Sequence, residues 1–331
     1  MTQGVAVVSA RLEDLLIDLR IAGSDWPDAS QPLGLVDLRA CPADIRLGPL
    51  PPFPLIGMGD ASHPLARTLD AVVESPLSVE ALVRQIARAP RAAALAAQLL
   101  RGLEGLAPDR ALQFESLCYG LLQGSEEHAR WLTSRAALPR RQSAAAGRVV
   151  VDRWGAELSI MLDRPLARNA IDRVMRDQLV EAFSIAAADP EVRSIKLRAL
   201  GAVFSVGADL DEFGTTRDPA TAHLIRSRSL PALSIGSRAE ILNAHVQGAC
   251  IGAGLEIAAF AARLTASSQA WFQLPELSMG LIPGAGGCVS VPRRIGRQRT
   301  LLMILSGRRI SARTALHWGL IDAVVDPSRD G

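Results

Sequence analysis

From Arg148 onward the chain alternates short runs rich in Val, Ile and Leu with longer amphipathic runs. This alternation narrows the possible architectures more than any other feature. Strands joined by crossover helices pack into α/β layers, with helices covering a sheet. Residues 148–154 and 157–162 read as a hairpin around Gly155. Residues 172–188 read as an amphipathic helix, 194–199 and 241–246 as strands, and 254–262 as a helix.

The first part of the chain has a different texture. Residues 1–60 are rich in Pro and Gly, with candidate strands at 36–38 and 54–57. The proline-dense run 47–54 cannot be helix interior, because proline lacks the amide and clashes with the preceding turn. Residues 63–74, 79–89, 91–104 and 111–123 show apolar residues at helical spacing. Ser78 is placed to cap the second of these helices, and Ser125 to cap a last one over 126–136. Residues 138–147, with Arg140 and Arg141, read as a solvated linker. The expected division is an N-terminal region over 1–140 and a core over 148–331.

Bulk properties exclude several function classes. Lys+Arg number 36 against 34 Asp+Glu, so no global charge favours nucleic acid or an acidic membrane. Aromatics are 4% of the chain, too few for base-stacking platforms. Cys41, Cys118, Cys250 and Cys288 form no CxxC pair and lie at no metal-ligand spacing. They read as buried thiols in a reducing cytoplasm. The longest apolar stretch, 248–262, contains Glu256 and falls short of the roughly 20 residues a membrane span needs. The five histidines have no partner at motif spacing and read as structural, with His245 nearest the segments discussed next.

Three segments carry the chemistry. In Phe204-Ser205-Val206-Gly207-Ala208-Asp209-Leu210 a strand gives way to a glycine turn, where amides can point outward toward a ligand oxygen. In the run 245–257, small residues at Gly252, Ala253 and Gly254 admit a ligand close to the backbone, and the following helix aims its dipole there. Two amides from two such turns would make an oxyanion hole for a carbonyl that gains negative charge. The third segment holds Glu276 and the glycine-rich run 280–287. Glu256 and Glu276, twenty positions apart, each sit among apolar residues. Burial there raises a carboxyl's proton affinity toward the range used in proton transfer.

In order and spacing these segments resemble the crotonase (enoyl-CoA hydratase/isomerase) family over roughly residues 148–327. Residues 162–170 resemble its LNRPxxxNA run, 204–210 its FSAGADL turn, 251–257 its LGGGCEL helix start and 274–287 its QPE…GxxPGAGG stretch. The resemblance implies a ββα spiral core and an acyl-CoA thioester substrate. It gives Val206 and Ala253 the oxyanion amides, with side chains larger than usual and so a narrower acyl pocket. It gives Glu256 and Glu276 the acid/base pair. Ala208, Asp209 and Leu210 would line the CoA path through backbone, and Arg168 would touch a CoA phosphate. CoA enters only as part of the substrate, and no metal, flavin or nicotinamide motif is present. A homo-oligomer, a trimer or dimer of trimers, is implied.

The implied reaction is reversible syn hydration of a 2-enoyl-CoA. The family's later helices have no counterpart before Gly331, and helices from 61–137 are expected to fill part of that space. Residues 112–127, with 210–215, also resemble a branch of the family with an N-terminal helical domain, similar to the cofactor-independent 3,5-dihydroxyphenylacetyl-CoA oxygenase. An aryl-acetyl-CoA oxygenase and a catalytically silent CoA-binding homologue are therefore the alternatives.

Overall fold

A computed structural model describes residues 12–19, 31–137, 145–236 and 238–326. Its first sheet comprises β1 (Gly34–Asp37), β2 (Leu55–Met58) and β3 (Ala71–Val72), parallel and in that order. The two expected strands are found, shifted by one or two residues. The expected helix over 63–74 is not. Pro64–Arg67 makes a single 3-10 turn, and the chain then pairs with β2. Its spacing is helical, but the exposed edge of β2 offers a better use for the backbone. The amide of Asp70 donates to Leu55 O at 3.0 Å and that of Val73 to Gly57 O at 2.9 Å. Asp70 itself is fully buried and accepts from Leu55 N, Arg101 and Arg297.

Four helices follow: α1 (Val79–Arg88), α2 (Pro90–Gly102), α3 (Pro108–Gln123) and α4 (Glu126–Ala136). Ser78 and Ser125 cap α1 and α4 as their positions require, accepting from Ala81 N and His128 N. Such a cap contributes about 1 kcal/mol. Pro90 and Pro108 sit where a helix has no use for an amide. The buried face of α2 is Ala92, Ala93, Ala96, Ala97 and Leu100, small enough to allow a close helix approach. Most of the proposed linker, 138–144, lies outside the described residues.

The core begins with the hairpin β4 (Arg148–Trp154) and β5 (Glu157–Asp163). Then come α5 (Arg173–Ala188), β6 (Ser194–Ala199), α6 (Pro219–Ser229), α7 (Pro231–Ile235), β7 (Leu242–Val246) and β8 (Ala249–Ile251). Next are α8 (Ala253–Ala258), β9 (Arg263–Ala266), β10 (Trp271–Gln273), α9 (Gly287–Ser306), β11 (Ile310–Ser311), α10 (Ala312–Trp318) and β12 (Ala323–Val324). Among the described residues the larger sheet runs β12-β9-β7-β6-β5-β4, parallel except for the hairpin. A second sheet runs β11-β10-β8. Alternate residues of β5 and β7 are buried, as expected for strands with one face against a helix layer. The helix expected over 254–262 ends at Ala258, because the chain turns into β9. This is an α/β fold with a ββα-type core and a partly helical N-terminal region.

Helix α9 joins the two regions. It bends at Gly296, whose φ is +77°. Beyond the bend, Arg297 reaches Asp70 and Glu104, Gln298 donates to the carbonyls of Ala66 and Leu69, and Arg299 pairs with Glu74. At its other end α9 starts at Gly287, inside the glycine-rich segment that carries the site.

Candidate active site

The turns over 204–210 and 249–254 lie side by side. Ser205 N donates to Ala249 O and Ile251 N to Ser205 O, both at 3.0 Å. Glycine is required at this contact. A Cβ on Gly207 would lie 3.0 Å from Ile251 O, and one on Gly254 would lie 2.6 Å from Ser205 Cβ. Ala253 opens α8, so its amide has no acceptor within the helix. Among the described residues it has no other partner.

Val206 differs. Its amide donates to Arg168 O at 3.2 Å, so only one of the two expected donors is free. The cause is a bend that the spacing could not show. Arg168 and Asn169 both adopt left-handed backbone, with φ of 54° and 52°. Buried Asn169 locks that bend: its Oδ1 accepts from Arg164 N, and its Nδ2 donates to Leu200 O and Val203 O.

The residues assigned to the CoA path have mixed surroundings. The Arg168 side chain is exposed and has no partner among the described residues. Ala208 pairs with Ile171 in a lone β-bridge. The Asp209 carboxylate accepts from Arg164 at 2.7 Å and from Asp211 N at 3.1 Å, and its amide donates to Ile171 O, so it braces the turn. Leu210 is exposed and its carbonyl accepts from Arg135.

Both glutamates are buried and border the same turns. Glu256 Oε2 accepts from Ala285 N at 2.6 Å and Gly287 N at 2.8 Å. Burial pushes its proton affinity up to about 7, against these amides and that of Gly284. Glu276 approaches from the other side. A Cβ on Gly252 would lie 2.6 Å from Glu276 Oε1, which places this carboxyl beside the start of α8. Its Oε2 is buried with no hydrogen-bond partner. Burial first, then the charge of Glu256, raises Glu276 well above the usual carboxylate range. Both acids are therefore held above the usual carboxylate range, Glu256 with its charge met by backbone amides and Glu276 with none on Oε2.

Helix α3 adds two residues that sequence reasoning did not assign to the site. Glu115, 1% exposed, accepts from Gly286 N and Cys288 N, each at 2.7 Å. Glu256 and Glu115 therefore hold alternate amides of one turn, from opposite sides. Burial, then the Glu256 charge, raises Glu115 as well. One helical turn later the Tyr119 ring rests on Gly284, where a Cβ would lie 2.3 Å from Cδ2. A signal existed: Glu115 lies on the apolar stripe that includes Leu112, Cys118 and Leu122, where a charge is unexpected without a partner.

The layered core, the paired glycine turns and the two buried carboxyls define a crotonase-type protein. The chain belongs to the enoyl-CoA hydratase/isomerase family, whose model matches residues 156–329. It is 34% identical over 176 residues to the 2,3-dehydroadipyl-CoA hydratase of Escherichia coli K12, covering 53% of this chain and 68% of that protein. It is 33% identical over 180 residues to the mevalonyl-coenzyme A hydratase of Beauveria bassiana, covering 51% and 63%. Among solved structures, an enoyl-CoA hydratase subunit I from Geobacillus kaustophilus matches with TM-score 0.50 and 33% identity, covering 54% of this chain and 69% of that one. DspI of Pseudomonas aeruginosa matches with TM-score 0.50 and 30% identity, covering 58% and 72%. The chain thus spans about two thirds of the length of these curated relatives, and Glu115 and Tyr119 fall outside the family match.

Proposed function

We propose that the chain catalyses reversible syn addition of water to a trans-2-enoyl-CoA. The observation that carries this reading is the pair of buried acids beside the start of α8. Glu256 is oriented by two amides and ionises near neutrality. Glu276 is raised well above the usual carboxylate range by burial and by the charge of Glu256, which suits a proton donor, and it has an oxygen with no protein partner.

In this mechanism the thioester oxygen accepts from Ala253 N and competes with Arg168 O for Val206 N. The charge that builds on that oxygen is stabilised by fixed donors in a dry site. Glu256 takes a proton from water as the hydroxyl bonds to C3. Glu276 delivers its proton to C2. Water is consumed, its hydroxyl going to C3 and its proton to Glu256, while C2 takes the Glu276 proton; net transfer of one proton from Glu256 to Glu276 resets the pair before the next turnover.

The test is loss of the conjugated absorbance of crotonyl-CoA on mixing with the protein. Unchanged absorbance with crotonyl-CoA and with longer enoyl-CoAs contradicts the reading. The approach of helix α3 to the Gly284–Gly287 turn, from outside the family match, favours a second reading: an oxygenase acting on an aryl-acetyl-CoA. That reading requires oxygen uptake without added metal or flavin, and activity that survives Glu256→Gln.

A further inference from the structure

Glu276 Oε2 is buried without a hydrogen-bond partner, so the place of this carboxyl depends on the backbone that carries it. That backbone is the 3-10 turn Glu276–Met279, which ends at Gly280 with φ of 68°. The turn rests on the start of helix α4, which lies outside the family match. A Cβ on Gly280 would lie 2.7 Å from both Glu127 C and His128 N, so only glycine lets the two backbones meet this closely. His128, 3% exposed, ties them together: its Nδ1 lies 2.9 Å from Met279 O. A carbonyl only accepts, so Nδ1 carries the hydrogen. Burial lowers the ring's proton affinity, against the effect of that bond, and so favours the neutral ring.

Helix α4 is itself a fixed mount. At its start Glu127 accepts from Arg91 N at 2.9 Å and Ala92 N at 3.0 Å, which joins it to α2. The His128 ring stacks on Trp131, with centroids 5.6 Å apart, and Phe213 meets Trp131 edge-on at 5.6 Å. Leu132 packs on Gly214, where a Cβ would lie 3.1 Å from Leu132 Cδ2. Near the end of α4, Arg135 donates to Leu210 O at 3.1 Å and to Asp211 Oδ1 at 2.6 Å. Residues 210–214 continue the chain from the Val206 turn. One helix therefore spans from the turn that carries Glu276 to the loop that follows the oxyanion segment.

We propose that His128 is a positioning residue for Glu276: its hydrogen bond to Met279 O fixes the acid-bearing turn on α4, and α4 fixes that turn relative to the loop 210–214. This rests on the hydration reading, in which Glu276 delivers a proton to C2. A misplacement of about 1 Å in a reacting group costs up to about 100-fold in rate.

Two substitutions separate the hydrogen bond from packing. His128→Phe keeps a ring for Trp131 and loses the donor. His128→Asn loses the ring and keeps a donor nitrogen near the place of Nδ1. On crotonyl-CoA, His128→Phe should lower kcat by at least about tenfold with KM changed by less than about threefold, while His128→Asn should stay within about threefold of the unaltered kcat. A fall of less than about tenfold in His128→Phe overturns the proposal. An asparagine variant no faster than the phenylalanine one also overturns it, because that is the mark of a packing role. Circular dichroism shows that each variant is folded. If phenylalanine is not accommodated, His128→Gln takes its place: its amide nitrogen lies near the place of Nε2, away from Met279 O, and the same fall is expected. Failure of the hydration reading looks different: the unaltered protein leaves crotonyl-CoA unchanged, or Glu276→Gln hydrates it just as fast.

Discussion

The site has two walls of different origin. One, inside residues 156–329, brings Glu256, Glu276 and the paired glycine turns. The other is the face of helix α3 that carries Glu115 and Tyr119. Both walls grip the same turn, Glu256 holding Ala285 and Gly287 while Glu115 holds Gly286 and Cys288. The first wall leaves a carboxyl oxygen free for a reactant, whereas both oxygens of Glu115 are occupied by backbone. The comparison separates two jobs. In the proposed reaction the first wall supplies the acids that exchange protons, while Glu115, with both oxygens spent on backbone amides, fixes the geometry of the turn.

Substitutions sharpen that division. Glu256→Gln and Glu276→Gln should each lower kcat on an enoyl-CoA by about 10²–10⁴-fold with the fold intact, as steady-state kinetics beside circular dichroism would show. Glu115→Ala should act chiefly on stability. It strands two buried amides, at about 1–3 kcal/mol each, a loss visible in urea unfolding. If Glu115→Ala were as stable as the unaltered protein, the α3 wall would have no structural role.

The pH dependence of stability gives the next largest effect. Glu256 binds its proton more tightly in the folded protein, near 7 against 4.5 for the ordinary group. Its contribution is therefore fully present below about pH 4.5 and is lost as pH rises through about 7, by about 3 kcal/mol. Glu256→Gln lacks this loss and should gain on the unaltered protein by that amount between pH about 4.5 and 8 in urea melts. A constant gap across this range would place Glu256 in a wetter site than the one described. Smaller again is the contact between the walls. Gly284→Ala drives a methyl into the Tyr119 ring and should cost about 1–3 kcal/mol. In a Tyr119→Ala background most of that cost should vanish, which a double-mutant cycle measures directly.

The first wall was legible in the sequence because its information is local. Glycines that admit close approach, and acids among apolar residues, announce themselves within a few positions. Helix caps were legible for the same reason, as at Ser78 and Ser125. Glu115 was not, since its partners Gly286 and Cys288 lie 171 and 173 residues away. The occupied amide of Val206 depends on left-handed backbone at Arg168 and Asn169, residues with no glycine to advertise it. The segment 63–74 had helical spacing, yet the open edge of β2 captured it. In each of these cases a distant backbone group outweighed the local pattern.

The most direct test of the account is hydration of crotonyl-CoA in deuterium oxide, with the product examined by proton NMR. One solvent deuteron should appear at C2, on the same face as the new C3 hydroxyl, at a rate that falls when either Glu256 or Glu276 becomes glutamine. Crotonyl-CoA recovered unchanged, or hydrated just as fast by both variants, would contradict it.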